Sequence, residues 1–165
     1  MLAACALFLF GALPAQALQR AVNLSRLGAR ALAHHVPVVI LFWSPTCHYC
    51  KIVEHRFLEP AARRPVYRHI LFRRIDIDSH KPLVDFAGAR TTEAAFAARY
   101  HVRLVPDIRF FNGHGHQVER SLLGLSTPAF YSSYLSAALR KAMHACAGTS
   151  GRHTYNSYTT KGEDP

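Results

Sequence analysis

Two cysteines three residues apart are the clearest chemical feature of this sequence. Cys47 and Cys50 lie in the segment F-W-S-P-T-C-H-Y-C-K, residues 42–51, directly after a run of apolar residues. Two thiols at this spacing can bind a metal, anchor a haem, form a structural disulfide, or form a disulfide that is made and broken in turnover. Which of these uses applies depends on the secondary-structure elements that position the two thiols.

Hydrophobic periodicity predicts the elements on either side of the cysteines. Residues 36–43 form a continuous apolar run rich in β-branched side chains, which indicates a central strand covered on both faces. A helix is predicted over residues 47–62. At its start the unpaired backbone N–H groups and the helix dipole favour an anion, so the Cys47 thiolate is expected to be stabilised. Cys50, one turn further on, can close a short disulfide with it.

The remaining elements predict a mixed sheet. They are a helix over residues 18–35, a strand over 69–77, a loop over 79–89, a short helix over 92–100, strands over 105–111 and 117–122, and a final helix over 128–147. A strand–helix–strand unit followed by a helix and a β-hairpin builds a mixed central β-sheet with helices on both faces. The sequence therefore predicts an α/β fold.

Length and composition fit one exported domain. The chain has 165 residues, of which 18% are charged. Residues 1–17 carry no charge and end in Ala15-Gln16-Ala17, which is typical of a signal peptide cut after Ala17; an uncleaved membrane anchor is the alternative. We expect a folded domain over residues 18–147, a disordered polar tail over 148–165, and a periplasmic location, where disulfides persist.

The charge of the chain bears on its partners. The formal net charge is +10, but the basic residues are scattered and no nucleic-acid-binding motif accompanies them. A basic exported protein is suited to acidic partners or to weak association with anionic lipid headgroups. Nucleic acid is not expected as a partner.

Two separated segments resemble the thioredoxin superfamily, and the resemblance covers residues 36–142. The first is Phe42-Trp43, a short turn and then Cys-His-Tyr-Cys-Lys at the start of a helix; the second is Y-H-V-R-L-V-P, residues 100–106, followed further on by Gly124 before the last helix. The resemblance implies a thioredoxin-like fold and a thiol:disulfide oxidoreductase whose only redox group is the Cys47–Cys50 disulfide, with no other cofactor and no metal.

The resemblance also assigns roles to individual residues. Cys47 and Cys50 are the implied catalytic residues. Pro106 is the implied cis-proline, which packs against the disulfide, and the backbone of Val105 is implied to pair with substrate. The residues implied to support the active site are His48, Tyr49, Trp43 and Lys51. When protonated, His48 would stabilise the Cys47 thiolate and make the disulfide more oxidising.

Within the superfamily, the chain is most similar to exported thioredoxin-like proteins and to the periplasmic domain of thiol:disulfide interchange reductases. Lys51 and Glu54 match that group, as does the segment F-L-E-P, residues 57–60. The match implies a reductive role on protein substrates, with a membrane-bound redox partner. One position departs from cytosolic thioredoxins, because Leu41 stands where they have a buried aspartate. The proton acceptor for Cys50 is therefore expected elsewhere, with Glu54 or a water as the candidates.

Other uses of the two thiols fit less well. A structural zinc site needs a second cysteine pair, whereas Cys146 falls alone on the last predicted helix. A haem motif needs histidine where Lys51 stands. His114 and His116 in the G-H-G-H turn offer only two ligands for a metal. The alternative function from a different class is a metal (copper) chaperone that uses Cys47, Cys50 and a histidine such as His48.

Overall fold

The structure is a computed structural model that describes residues 18–148. Its elements in chain order are α1 (Leu24–His34), β1 (Val38–Trp43), α2 (His48–Val53), a π-helical turn (Glu54–Leu58), α3 (Glu59–Ala62), a 3-10 turn (Pro65–Tyr67), β2 (Leu71–Asp76), β3 (Pro82–Val84), β4 (Arg90–Thr92), α4 (Glu93–Arg99), β5 (Asp107–Phe111), β6 (Gln117–Leu123) and α5 (Pro128–Ala147). The helix after the cysteines thus runs from His48 to Ala62 with one π-helical turn inside it.

The central sheet has four strands in the order β2-β1-β5-β6. β1 pairs with β2 in parallel and with β5 in antiparallel fashion, and β6 is antiparallel to β5. Phe42 near the end of β1 lies opposite Asp107 at the start of β5, which in turn lies opposite Leu123 at the end of β6. The cysteine turn, the segment before β5 and the segment after β6 therefore lie at the same end of the sheet.

Each face of the sheet is covered by a separate apolar core. On one face, Leu41 packs with Val53 and Leu58 of the long helix and with Leu139 of α5. On the other, the main members are Ile40 and Phe42 of β1, Leu24 of α1, Phe96 of α4 and Phe111 of β5. All six residues of β1 are buried or partly buried, as its continuous apolar sequence predicts. The mixed sheet with helices on both faces confirms the predicted fold class.

The N-terminal helix begins later than predicted. Residues 18–23 run extended along the edge of the sheet, where the Ala21 N–H donates to the Arg74 carbonyl at 2.9 Å and Arg20 forms a parallel bridge with Arg74. The helix starts only at Leu24. Asn23 is its N-cap residue, and the Asn23 side chain accepts a hydrogen bond from the Arg26 N–H. The prediction of a helix from residue 18 was wrong because pairing with β2 satisfies these backbone groups instead.

The predicted loop over residues 79–89 contains a strand. β3 pairs with β4 in a separate two-stranded sheet, and the Val84 N–H donates to the Val22 carbonyl at 3.0 Å. Both strands have only three residues, which is too short for an alternating pattern to show in the sequence. Strand β5 likewise begins at Asp107, two residues after the predicted start.

Two predictions fall outside the described residues. The signal peptide over residues 1–17 and most of the polar tail over 148–165 lie there. From Leu18 to Gly148, the structure contains no helix that is long and apolar enough to cross a membrane.

Candidate active site

Cys47 and Cys50 form a disulfide at the start of the long helix, with their Cα atoms 5.3 Å apart. Cys47 is the N-cap residue of α2, and its sulfur accepts a hydrogen bond from the Cys50 N–H at 3.1 Å. An N-cap sulfur faces the unpaired N–H groups of the first turn, so a thiolate formed there is stabilised. Cys47 is partly exposed, whereas Cys50 is fully buried. Only the first sulfur is therefore open to attack from outside.

A short turn delivers Cys47 from β1 to the helix. The Cys47 N–H donates to the Ser44 carbonyl at 3.0 Å, and the hydroxyls of Ser44 and Thr46 lie 3.0 Å apart. Ser44 is buried, and its hydrogen bond with the Thr46 hydroxyl takes the place of the hydrogen bond to water that burial removes. These contacts fix the N-cap sulfur at the carboxyl end of a buried strand.

The segment before β5 closes over the disulfide. The carbonyl oxygen of Val105 lies 3.8 Å from the Cys47 sulfur, and the Val105–Pro106 peptide bond is cis. Pro106 is buried, and its carbonyl accepts a hydrogen bond from the Gly124 N–H at 2.7 Å. Gly124 has a φ of 70°, a left-handed conformation that favours glycine. Val105 thus approaches Cys47, and Gly124 is bonded to Pro106, although these segments are distant in sequence.

The side chains between and after the cysteines lie on the surface. Tyr49 is 59% exposed, and its ring meets the His48 ring edge-on with centroids 5.8 Å apart. Lys51 is also exposed. His48, Tyr49 and Lys51 are therefore all exposed on the surface next to Cys47.

A buried ion pair supports the helix one turn beyond Cys50. Glu54 is 1% exposed, and its two carboxylate oxygens lie 2.9 and 3.1 Å from Nη1 of Arg74 on β2. The Arg74 guanidinium in turn lies 4.5 Å from the centre of the Trp43 ring. Leu41, by contrast, is fully buried among apolar residues. Arg74 thus contacts both the Trp43 ring and Glu54 on the helix. Glu54 is four residues from Cys50, so the two side chains lie on the same side of that helix.

Sequence reasoning missed Asp107, the residue directly after Pro106. Asp107 is 3% exposed; its Oδ2 accepts a hydrogen bond from Arg109 Nε at 2.8 Å, and its Oδ1 has no hydrogen-bond partner within the described part of the chain. Burial raises the pKa of this carboxyl, and the hydrogen bond from Arg109 opposes that rise. The signal in the sequence is an acid directly after Pro106, at the start of a strand whose other residues are mostly apolar, D-I-R-F-F.

The other candidate residues lie away from the end of the sheet that carries the disulfide. His114 and His116 are in the turn between β5 and β6, at the opposite end of the sheet from the disulfide, because Phe111 pairs with Val38 at the start of β1. Among residues 18–148, no three His, Cys, Asp or Glu side chains are grouped so as to hold a metal ion. Cys146 is buried on α5, and burial raises the pKa of its thiol to about 11.

Comparison with known proteins places this site in a family. The model of a thioredoxin-like domain matches residues 28–139. No curated protein matches the chain by sequence. Among solved structures, mitochondrial thioredoxin 3 of Saccharomyces cerevisiae is 15% identical with a TM-score of 0.51, over 74% of this chain and 93% of that one. The thioredoxin of Malassezia sympodialis is 20% identical with a TM-score of 0.51, over 78% and 95%.

A third similar structure is a mutant thioredoxin of Halobacterium salinarum, 21% identical with a TM-score of 0.50, over 78% of this chain and 95% of that one. At these identities the structural matches show a shared fold. The family model adds the sequence relationship, and it covers both Cys47 and Pro106. With a disulfide at the first turn of its helix, the chain belongs to the thioredoxin-like family and is a thiol:disulfide oxidoreductase.

Proposed function

We propose that this protein is an exported reductase of protein disulfides, which uses its Cys-His-Tyr-Cys segment as the active site. The observation that supports this most is the division between the two sulfurs, with Cys47 open at the helix start and Cys50 buried beneath it. Such a division suits a reaction in which the first sulfur meets the substrate and the second releases it. The reductive direction rests on the similarity to domains of thiol:disulfide interchange reductases.

In the proposed reaction, the reduced protein transfers two electrons. The Cys47 thiolate attacks one sulfur of a substrate disulfide, so that the S–S bond breaks and one substrate thiolate leaves. The Cys50 sulfur loses its proton and attacks Cys47, which expels the second substrate thiolate and leaves the Cys47–Cys50 disulfide. A dithiol of a membrane-bound redox partner then reduces that disulfide. The substrate gains the two electrons that the protein loses.

The environment of each group supports its role in this scheme. The helix N-terminus stabilises the Cys47 thiolate and so raises the fraction of the reactive species. The Val105 carbonyl at 3.8 Å can accept a hydrogen bond from the reduced Cys47 thiol. Glu54 is the proposed proton acceptor for Cys50, either directly or through a water, because the family's usual acid is replaced by Leu41. The backbone N–H of Glu54 donates to the Cys50 carbonyl, which places the two residues on successive turns.

Reduction of insulin by the purified protein tests the activity. With dithiothreitol as the electron source, the wild-type protein is expected to accelerate insulin precipitation, and Cys47→Ser is expected to return the rate to that of dithiothreitol alone. Cys146→Ser is the matched control, since that thiol lies in the core away from the disulfide, and it should retain the wild-type rate. Equal rates for wild type and Cys47→Ser would refute the proposal.

Export is tested apart from the chemistry. Residues 1–30 fused to an alkaline phosphatase that lacks its own leader are expected to give phosphatase activity in a bacterial host, since this enzyme becomes active only after its disulfides form outside the cytoplasm. A fusion that begins at residue 18 is the control and should stay inactive. Inactivity of both fusions in cells that accumulate them would contradict export by this segment.

A further inference from the structure

A pocket opens on the segment that leads to Pro106. It has a volume of about 160 Å³ and lies between residues 101–107, β5 and β6. This volume is well above the roughly 15 Å³ that a cavity needs to hold one water molecule, so a short side chain with a charged head has room in it. None of the roles assigned above uses this pocket.

The lining of the pocket has an excess of positive charge. Asp107 is the only acid in it, and its Oδ2 is already bonded to Arg109. Arg109 is held further by a hydrogen bond from its Nη1 to the Tyr100 carbonyl at 2.7 Å. Arg103 is exposed and, within residues 18–148, forms no ion pair or hydrogen bond. The guanidinium of Arg103 is therefore available to an anion from outside.

Two further polar groups face the same space. His101 and Ser121 line the pocket, both are exposed, and neither side chain has a hydrogen-bond partner in the described part of the chain. His101 has a φ of 53°, so the chain turns sharply there just before Arg103. An imidazole N–H, a hydroxyl and a guanidinium are all able to donate hydrogen bonds to a carboxylate.

The pocket is close to the reacting sulfur. Arg103 precedes Val105 by two residues, a span of at most about 7 Å, and the Val105 carbonyl lies 3.8 Å from the Cys47 sulfur. Leu104 and Leu123, which are 65% and 52% exposed, also line the pocket. A polypeptide whose cysteine reaches Cys47 therefore has apolar surface and then Arg103 within a few residues of its reacting sulfur.

We propose that this pocket binds the carboxylate of an acidic residue near the reactive cysteine of a polypeptide substrate, and that Arg103 determines this preference. The inference deepens the proposed function and rests on it, because it assumes that Cys47 exchanges disulfides with peptides. Exposed apolar side chains at the rim favour a polypeptide over a free small anion, since they offer contacts to the residues between cysteine and acid.

The test measures how fast the reduced protein reacts with synthetic peptides. Each peptide has one cysteine activated as a neutral pyridyl disulfide and either Glu or Gln at one position within three residues of it, on either side. Attack of the Cys47 thiolate on the peptide sulfur breaks the S–S bond and releases pyridinethione, whose absorbance reports the rate. At low salt, the Glu peptide with the best position is expected to react roughly two- to fivefold faster than its Gln partner, the range that one exposed ion pair gives.

Variants of Arg103 separate this pocket from the general charge of the protein. Arg103→Gln should reduce the ratio of the Glu rate to the Gln rate to about one, and Arg103→Glu should make a Lys peptide react faster than the Glu peptide. Arg140→Gln makes the same change in net charge on an exposed position of α5, and it should keep the wild-type ratio.

Three outcomes overturn the inference. The first is an equal rate for Glu and Gln peptides at every position with the wild-type protein. The second is a Glu preference that persists in Arg103→Gln or that disappears in Arg140→Gln. The third is an absence of pyridinethione release from all peptides, which refutes the proposed function as well and is thereby distinguished from the first two.

Discussion

Brief iodoacetamide treatment of the reduced protein at pH 7 is expected to label Cys47 at least about tenfold faster than Cys50 or Cys146. The thiolate is the reactive species, and Cys47 is the sulfur that lies at the helix start with an open approach. Cys50 is fully buried. Burial raises the pKa of Cys146 to about 11, so at pH 7 only about 0.01% of that thiol is ionised, against about 3% of an unperturbed thiol.

The same asymmetry predicts a trapped intermediate. In Cys50→Ser, Cys47 should form mixed disulfides with substrates that persist, because no second thiol remains to expel them. The measurement is mass spectrometry of peptides after labelling and, for the variant, non-reducing electrophoresis after incubation with oxidised insulin. Denatured protein is the control, and its thiols should label at similar rates. Early label on Cys50, or mixed disulfides equally abundant in wild type and Cys50→Ser, would contradict the assignment of Cys47 as the attacking sulfur.

Replacement of Glu54 by alanine should lower the free energy of unfolding by roughly 3 kcal/mol. The change leaves the Arg74 guanidinium, whose side chain is only 28% exposed, without the carboxylate that it contacts at 2.9 Å. Removal of one member of a buried ion pair is costly chiefly because the remaining charge is uncompensated. The pair also joins the helix that contains Cys50 to strand β2, so its loss loosens the support of the active site.

Urea denaturation of the wild type and four variants measures this contribution. In a double-mutant cycle, Glu54→Ala and Arg74→Ala should each destabilise, and the double variant should cost less than the sum of the two. Glu119→Ala is the matched control, because Glu119 contacts the exposed Lys141 at 4.0 Å, and it should cost less than about 1 kcal/mol. A similar decrease in the free energy of unfolding for Glu119→Ala and Glu54→Ala would show that the buried ion pair contributes no more than the exposed one.

Glu54→Gln separates the chemical role of Glu54 from its structural role. Glutamine keeps the size and an acceptor oxygen but accepts no proton at neutral pH. If Glu54 is the proton acceptor for Cys50, the attack of Cys50 on the mixed disulfide should be slower in this variant. The mixed disulfide should then accumulate in acid-quenched reactions, while the rate of Cys47 alkylation stays at the wild-type value. Unchanged release of the second substrate thiol would exclude Glu54 and leave a water as the acceptor.

Local sequence patterns determined the elements that present the thiols. The uninterrupted apolar run that ends at Trp43 is rich in β-branched side chains and forms the buried central strand that it predicts, and α5 has the bounds that its sequence predicts. The cysteine spacing required both sulfurs to lie within one helical turn. These features depend on residues close together in the chain, whose backbone preferences and side-chain periodicity do not need the rest of the protein.

Only the tertiary structure decided which distant residues meet. Glu54 and Arg74 are twenty residues apart, and a solvated glutamate on a helix surface would give the same sequence pattern. Residues 18–23 have helical spacing of apolar side chains, yet they run extended because β2 offers them backbone hydrogen bonds. The Val105 carbonyl reaches the Cys47 sulfur because β5 returns beside β1. Long-range pairing of strands sets these contacts, and the free energy of such pairing is not contained in any short segment.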